Sequence, residues 1–176
     1  MKSRQKGFAY IELIISVGIM VLLAEAAAMT MFQTLKGTEC NNNRMTVARQ
    51  VQSAGYRISR DAQMAQTAKT DNLTAPDFLI LYWIVWDSNQ DPIYHSATYF
   101  FEGQTNGVGK LKRRHWSSDG ANEQTLIAEH IYYNPSDPEK TSKVSYQNGE
   151  LSIRLTAFTG DAREAREYRI IRRLHF

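Results

Sequence analysis

The chain has 176 residues, of which 43% are hydrophobic and 22% are charged. This length and composition suit one ordinary domain and exclude a large multidomain enzyme and a wholly disordered chain. The formal net charge of +3 comes from Lys2, Arg4 and Lys6, because the rest of the chain has as many acidic as basic residues. The basic balance is therefore no indication of nucleic-acid binding. The single cysteine, Cys40, excludes an internal disulfide framework and a cysteine-built zinc site.

An apolar segment occupies residues 8–32, and Glu12 and Glu25 are its two charged residues. A helix of this length spans about 38 Å, which exceeds the roughly 30 Å hydrocarbon core of a membrane. The basic residues before it indicate a cytoplasmic N-terminus, and no second apolar segment of this length follows. The sequence therefore predicts a single-pass protein of the cell (inner) membrane, whose C-terminal domain lies outside the cytoplasm.

Three interpretations fit this segment. A secretory signal peptide would use the small-residue site Ala24-Glu25-Ala26, but Glu12 would then lie in a region that is normally apolar. A plain uncleaved anchor has the same difficulty, because a carboxylate inside the membrane costs on the order of 3 kcal/mol. The third interpretation gives Glu12 a role.

Residues 6–13, Lys-Gly-Phe-Ala-Tyr-Ile-Glu-Leu, closely resemble the leader of type IV pilin-like proteins. In that family a basic leader ends in glycine, and a phenylalanine, three further residues, a glutamate and a long apolar helix follow. The resemblance implies that a membrane peptidase cuts between Gly7 and Phe8 and methylates the new amine of Phe8. Residues 1–7, which include Lys2, Arg4 and Lys6, would then be a cytoplasmic leader peptide that is removed.

The resemblance also implies that Glu12 acts in assembly. A buried carboxylate is tolerated when it is paired and hydrogen-bonded. The Phe8 amine of a neighbouring subunit would supply that partner when helices bundle, so Glu12 would favour assembly and fix its register. Two other states of Glu12 stay open: its side chain extends to the membrane interface, or it is protonated. Glu25 either lies near the outer membrane interface or pairs with a neighbouring subunit.

The implied function is that of a minor pilin or pseudopilin, a structural subunit of a type IV pilus or a type II secretion pseudopilus, without enzymatic activity. Residues 57–61, 111–113 and 126–131 are most similar to J-type pseudopilins and W-type minor pilins, and the lone Cys40 agrees with a minor component. The implied partners are the prepilin peptidase/N-methyltransferase, other pilin or pseudopilin subunits, the inner-membrane assembly platform and membrane lipid. No cofactor is expected. The alternative is an exported or membrane-anchored enzyme or binding domain with a conventional signal sequence.

Residues 8–32 are expected to form the transmembrane or filament-core helix, residues 33–70 an amphipathic helix, and residues 71–176 a sheet domain. Glycine and three asparagines within residues 36–43 predict a bend or a loosened turn. An apolar stripe then predicts a helix over 44–68 that packs on the sheet. Its members are Met45, Ala48, Val51, Gly55, Ile58, Ala62 and Ala65. The arginines off this stripe, which are Arg49, Arg57 and Arg60, predict a solvated helix face.

From residue 78 onward the pattern indicates strands. The predicted strands are 78–86, 93–102, 110–116, 125–133, 144–147, 150–158 and 168–173. Asn148-Gly149 predicts a type I′ hairpin, residues 87–92 a hairpin loop, and residues 103–109 a glycine-rich turn. Residues 162–167 fit either a strand or a short helical turn. A helix followed by strands with hairpin signals predicts an α+β fold, in which a long N-terminal helix packs on an antiparallel sheet. The pilin-like family has the same layout.

The sequence predicts no catalytic or metal-binding residues. The four histidines, His95, His115, His130 and His175, lie far apart and are expected to be surface or strand-lining residues. A nucleophile elbow of the G-x-S-x-G type is absent from the sequence. Asp87, Asn89 and Asp91 begin like a calcium loop, but Pro92 takes the place of its glycine and Thr98 that of its bidentate acid. A plain hairpin turn is favoured there.

Three other features have a binding and a structural interpretation. Lys112 and Arg114 are candidates for DNA contact within the basic cluster 110–116. Because neighbours on a strand point to opposite faces, the whole cluster cannot form one patch, and nucleic acid is disfavoured as a partner. The aromatic run 82–86 is either a partner-binding surface or sheet core, and core is favoured. Cys40 either forms a disulfide with another subunit or is a passive thiol, and a passive thiol is favoured.

Overall fold

The computed structural model describes the backbone of residues 5–171 and the side chains of residues 10–171. Helix α1 spans Gln5–Met64, and eight strands follow it. The strands are β1 Thr67–Lys69, β2 Asp77–Trp86, β3 Pro92–Thr105, β4 Val108–Ser117, β5 Asn122–Tyr132, β6 Lys143–Gln147, β7 Glu150–Thr159 and β8 Ala162–Ile171. Lys2 and Arg4 lie outside the described residues, as do the side chains of Lys6, Gly7 and Phe8. The predicted α+β class, with a long N-terminal helix and an antiparallel sheet, is confirmed.

The chain divides into two compact units, residues 1–42 and residues 43–176. The described part of the first unit is helix alone, whereas the second contains the end of α1 and all the strands. Residues 36–43 are helical, so the predicted bend or loosened turn is wrong. Glycine and asparagine each cost a helix about 1 kcal/mol or less, which is too little to interrupt a continuous hydrogen-bond ladder.

Helix α1 ends at Met64, four residues before the predicted end at residue 68. The Ala65 amide still donates to the Asp61 carbonyl, but the Gln66 amide donates to the Tyr82 carbonyl of β2 at 2.7 Å. Pairing with β2 thereby turns the next residues into strand β1. The prediction of helix through residue 70 is wrong because this tertiary pairing overrides the local helical pattern.

The strands form one antiparallel sheet in the order β1-β2-β3-β4-β5-β7-β6, and β8 pairs with β7. The predicted strands are confirmed to within a few residues, except that the last begins at Ala162, so residues 162–167 are strand and not a helical turn. Asn148 and Gly149 have φ of 52° and 80°, as the predicted type I′ turn requires. Asn106 and Gly107 have the same φ values and form a second such turn. The glycine-rich turn predicted over 103–109 is therefore too long.

The hydrophobic core lies between residues 47–65 and one face of the sheet. Five members of the predicted stripe are buried, and Met45 is 51% exposed. The buried members are Val51, Gly55, Ile58, Ala62 and Ala65. Val47, Ala54 and Asp61 are buried as well, which widens the stripe. Gly55 allows the closest approach to the sheet, because a Cβ atom at this position would overlap the Tyr168 ring. The sheet side of the core consists mainly of Leu79, Leu81, Ala97, Tyr99, Leu111, Ile131, Ile153 and Leu155.

Candidate functional site

The first half of α1 presents apolar side chains on every side. Every described side chain from residue 10 to residue 42 is exposed. The large hydrophobic side chains among them include Tyr10, Ile11, Leu13, Ile14, Ile15, Ile19, Met20, Leu22, Leu23, Met29, Met31, Phe32 and Leu35, each more than half exposed. The described residues contain one helix that is long and apolar enough to cross a membrane, and it is this one. A helix that is apolar all round is stable when lipid or other helices surround it.

Glu12 and Glu25 are separated by 13 residues of this helix. That separation corresponds to about 20 Å along the axis and about 220° around it, so the two carboxylates face nearly opposite sides at different depths. The Ser16 hydroxyl donates to the Glu12 backbone carbonyl at 2.7 Å. None of the described side chains bonds to the carboxylate of Glu12. The two glutamates therefore cannot share one partner group.

A buried polar cluster joins the second half of α1 to the sheet. Asp61 is 2% exposed, and its Oδ2 accepts hydrogen bonds from the Arg113 Nε at 2.5 Å and from the Tyr99 hydroxyl at 2.7 Å. Burial, followed by the charge of Asp61, raises the pKa of the Tyr99 phenol far above its usual value, so Tyr99 stays a donor. The cluster fixes which residues of α1 face β3 and β4.

Sequence reasoning missed this cluster, although Asp61 follows Ile58 by three residues and so falls on the apolar stripe. Arg57, predicted to be solvated, is only partly exposed, and its Nε is buried without a hydrogen-bond partner among the described atoms. Arg49 and Arg60 are exposed as predicted. An acid on an apolar stripe is the signal that indicates a buried pair.

The sheet brings two histidines together on the face that carries the core. His95 of β3 and His115 of β4 have ring planes 7° apart, and the His95 Nδ1 lies 3.3 Å from the His115 Nε2. The Trp83 ring is nearly parallel to both, with ring centres 5.4 Å and 5.7 Å away. Burial, followed by the charge of Arg113 and then of His95, lowers the pKa of His115. The predicted strand-lining position is confirmed for both histidines. They lie 20 residues apart in the sequence, and antiparallel pairing of β3 with β4 brings them together.

The opposite face of the sheet carries the predicted basic candidates. Lys112 lies 2.5 Å from the Glu102 carboxylate, and the Arg114 guanidinium lies 5.0 Å from the centre of the Phe100 ring. Arg113 is buried on the core face, so the cluster 110–116 is divided between the faces, as alternation predicts. Lys112 and Arg114 thus already have partners within the chain.

The aromatic run 82–86 is divided in the same way. Trp83 is 8% exposed and belongs to the core, whereas Tyr82 and Trp86 are 42% and 65% exposed. Tyr94 and Trp116 are exposed as well. Because Tyr82 pairs with Ser96 and Ser96 with Trp116, these rings lie on neighbouring strands of the outer face. The prediction of sheet core is therefore correct for Trp83 and wrong for Tyr82 and Trp86.

The candidate calcium residues form a hairpin turn. The Asp87 Oδ1 accepts from the Asn89 and Asp91 amides, both at 2.8 Å, so the turn itself occupies that oxygen. Among the described residues, no three side chains of His, Cys, Asp or Glu converge as metal ligands. Cys40 is exposed.

Comparisons with protein-family models, with curated proteins and with solved structures find no match for this chain.

Proposed function

We propose that this chain is a structural subunit that assembles through the first half of α1, as a minor pilin or pseudopilin does, and that it is not an enzyme. The observation that carries the proposal is the exposed apolar surface on all sides of residues 10–35, which holds Glu12 near its start. A plain membrane anchor gains no stability from a carboxylate at that position. A helix that binds a neighbouring subunit in one register can pair the carboxylate with a group of that neighbour.

Energetics support an assembly role for Glu12. An isolated carboxylate in the membrane costs on the order of 3 kcal/mol, and pairing with a cation removes much of that cost. After cleavage at Gly7, the amine of Phe8 would lie four residues before Glu12. A pair between Glu12 of one subunit and Phe8 of the next would displace the two helices by about 6 Å along their axes. The pair would therefore define the rise from subunit to subunit.

The proposal includes the processing and the partners that the leader implies. The prepilin peptidase/N-methyltransferase would remove residues 1–7, which carry Lys2, Arg4 and Lys6, and would methylate Phe8. The helix would then leave the inner membrane through the assembly platform and join related subunits in a pilus or a pseudopilus. Residues 43–171 would lie outside the cytoplasm and contact other minor subunits.

Replacing Glu12 tests the proposal. In the native membrane, we expect Glu12→Ala to insert normally, because it loses the cost of a carboxylate in lipid, but to lose its cross-links to other subunits. Glu25→Ala is the matched control, since it removes the same group from the same apolar segment and should keep most cross-links. In vivo cross-linking followed by gel electrophoresis measures both.

An exported or membrane-anchored enzyme or binding domain is the rival function. It requires no partner for Glu12, so cross-linking of Glu12→Ala should equal that of the wild type. That result, with both variants present in the membrane in equal amounts, would overturn the assembly role.

A further inference from the structure

One end of the sheet is rich in carboxylates, and Arg113 and Arg114 lie beside it. The β2–β3 and β4–β5 turns meet there, since the Tyr94 amide donates to the Ser118 hydroxyl at 3.0 Å. Residues 84–96 and 115–124 contain four carboxylates and two histidines, and they contain no lysine or arginine. The carboxylates are Asp87, Asp91, Asp119 and Glu123. The carboxylates favour a cation at this end, and the charge of Arg113, which reaches His115, opposes it.

The two imidazoles at this end have the spacing of metal ligands. The His95 Nδ1 and the His115 Nε2 lie 3.3 Å apart in nearly parallel rings. Two imidazole nitrogens bound to one tetrahedral zinc ion at 2.0–2.1 Å are also about 3.3 Å apart. The two nitrogens form an N–H···N hydrogen bond, so binding of an ion would require the donor ring to carry its proton on its other nitrogen and both rings to turn toward the ion.

We propose that His95 and His115 form a binding site for a divalent transition-metal ion, with Cu²⁺ bound more tightly than Zn²⁺. Neutral imidazole suits both ions, and at sites of this kind Cu²⁺ binds more strongly. The site is independent of the proposed function, because it involves none of the residues of the apolar helix.

Glu123 adds negative charge beside the two histidines. It lies directly opposite His115 in the pairing of β4 with β5, so both side chains point to the same face. Its charge acts on the His115 ring and opposes the fall in the pKa of that histidine. Water would complete the coordination. A bound ion would connect β3 and β4 at the end of the sheet through the two histidines, and we expect it to raise the melting temperature.

The test uses the full chain, without a histidine tag, in detergent micelles. Calorimetric titration with Cu²⁺ alone should show saturable binding of one ion that Zn²⁺ competes for, and the melting temperature should rise. The electron paramagnetic resonance spectrum of the copper-loaded chain should show coupling to imidazole nitrogen. His95→Gln and His115→Gln should each lose this binding, and Glu123→Gln should weaken it.

His130→Asn is the matched control. It removes a histidine that lies elsewhere on the sheet, and asparagine tolerates the positive φ of 60° at this position. We expect it to bind Cu²⁺ as the wild type does. The proposal is overturned if His95→Gln and His115→Gln, folded by circular dichroism, keep wild-type binding, or if His130→Asn loses it. Failure of the wild type to bind Cu²⁺, or a copper spectrum without nitrogen coupling, overturns it even if the variants do not fold.

Discussion

The two halves of helix α1 obey different physical requirements. In residues 10–42 every side chain is exposed, and Leu22 is 66% exposed. In residues 43–64 one side packs on the sheet, and Ile58 is fully buried. The second half packs on a partner within the chain, whereas the apolar side chains of residues 10–42 stay exposed and are long and apolar enough as a helix to cross a membrane. The two halves of α1 thus share the same secondary structure and differ in whether their apolar side chains pack within the chain.

The largest expected effect concerns the buried pair of the second half. Asp61→Ala leaves the charge of Arg113 buried without its partner, so we expect the free energy of unfolding to fall by about 3–5 kcal/mol. Chemical denaturation of the full chain in detergent, followed by circular dichroism, measures this loss. Tyr99→Phe removes one hydrogen bond and should cost only about 1 kcal/mol.

A double-mutant cycle gives the control for that prediction. Asp61→Ala combined with Arg113→Met removes both charges and should be more stable than Asp61→Ala alone. If Asp61→Ala costs no more than a surface substitution, the cluster does not fix α1 on the sheet, and the contrast between the two halves is weaker than described.

The next prediction compares a glycine-to-alanine substitution in each half of helix α1. Gly55→Ala places a Cβ atom against the Tyr168 ring and should destabilise the chain by about 1–3 kcal/mol. Gly37→Ala meets no atom within 4 Å and should stabilise the helix by up to about 1 kcal/mol. Thermal unfolding of both variants measures the opposite signs. Equal shifts would show that the two halves do not differ in their packing within the chain.

The smallest expected effect is that of calcium on the melting temperature. Calcium should leave the melting temperature unchanged, because the Asp87 Oδ1 already accepts two amides of its own turn. Calcium titration of the chain, with magnesium as a control for ionic strength, checks this. A rise specific to calcium would show that the β2–β3 turn rearranges into a binding loop.

The sequence predicts well those features that depend on local pattern. The apolar segment, the helix and most strands follow from hydrophobic period, and Asn148-Gly149 follows from the positive φ that its turn requires. Asn106-Gly107 has the same turn signal, but the glycines on either side of it led to the prediction of one long glycine-rich turn. Alternation also predicts correctly that Lys112 and Arg113 face opposite sides.

Features that depend on distant partners were not predictable in this way. Asp61 and Arg113 are 52 residues apart, so the apolar stripe can indicate that Asp61 is buried but cannot identify Arg113 as its partner. His95 and His115 meet through the register of two strands. Strand β1 has three residues and exists through its pairing with β2. In each case the deciding energy comes from a contact that the local sequence does not contain.

The N-terminus of the protein extracted from its native membrane tests the assembly account most directly. Mass spectrometry of the N-terminal peptide should show a chain that begins at Phe8 and carries one methyl group on its amine. Such a terminus would leave the Phe8 amine free to pair with Glu12 of a neighbour. A chain that begins at Ala27, or one that retains Met1, would contradict the account, because no Phe8 amine would then exist to pair with Glu12.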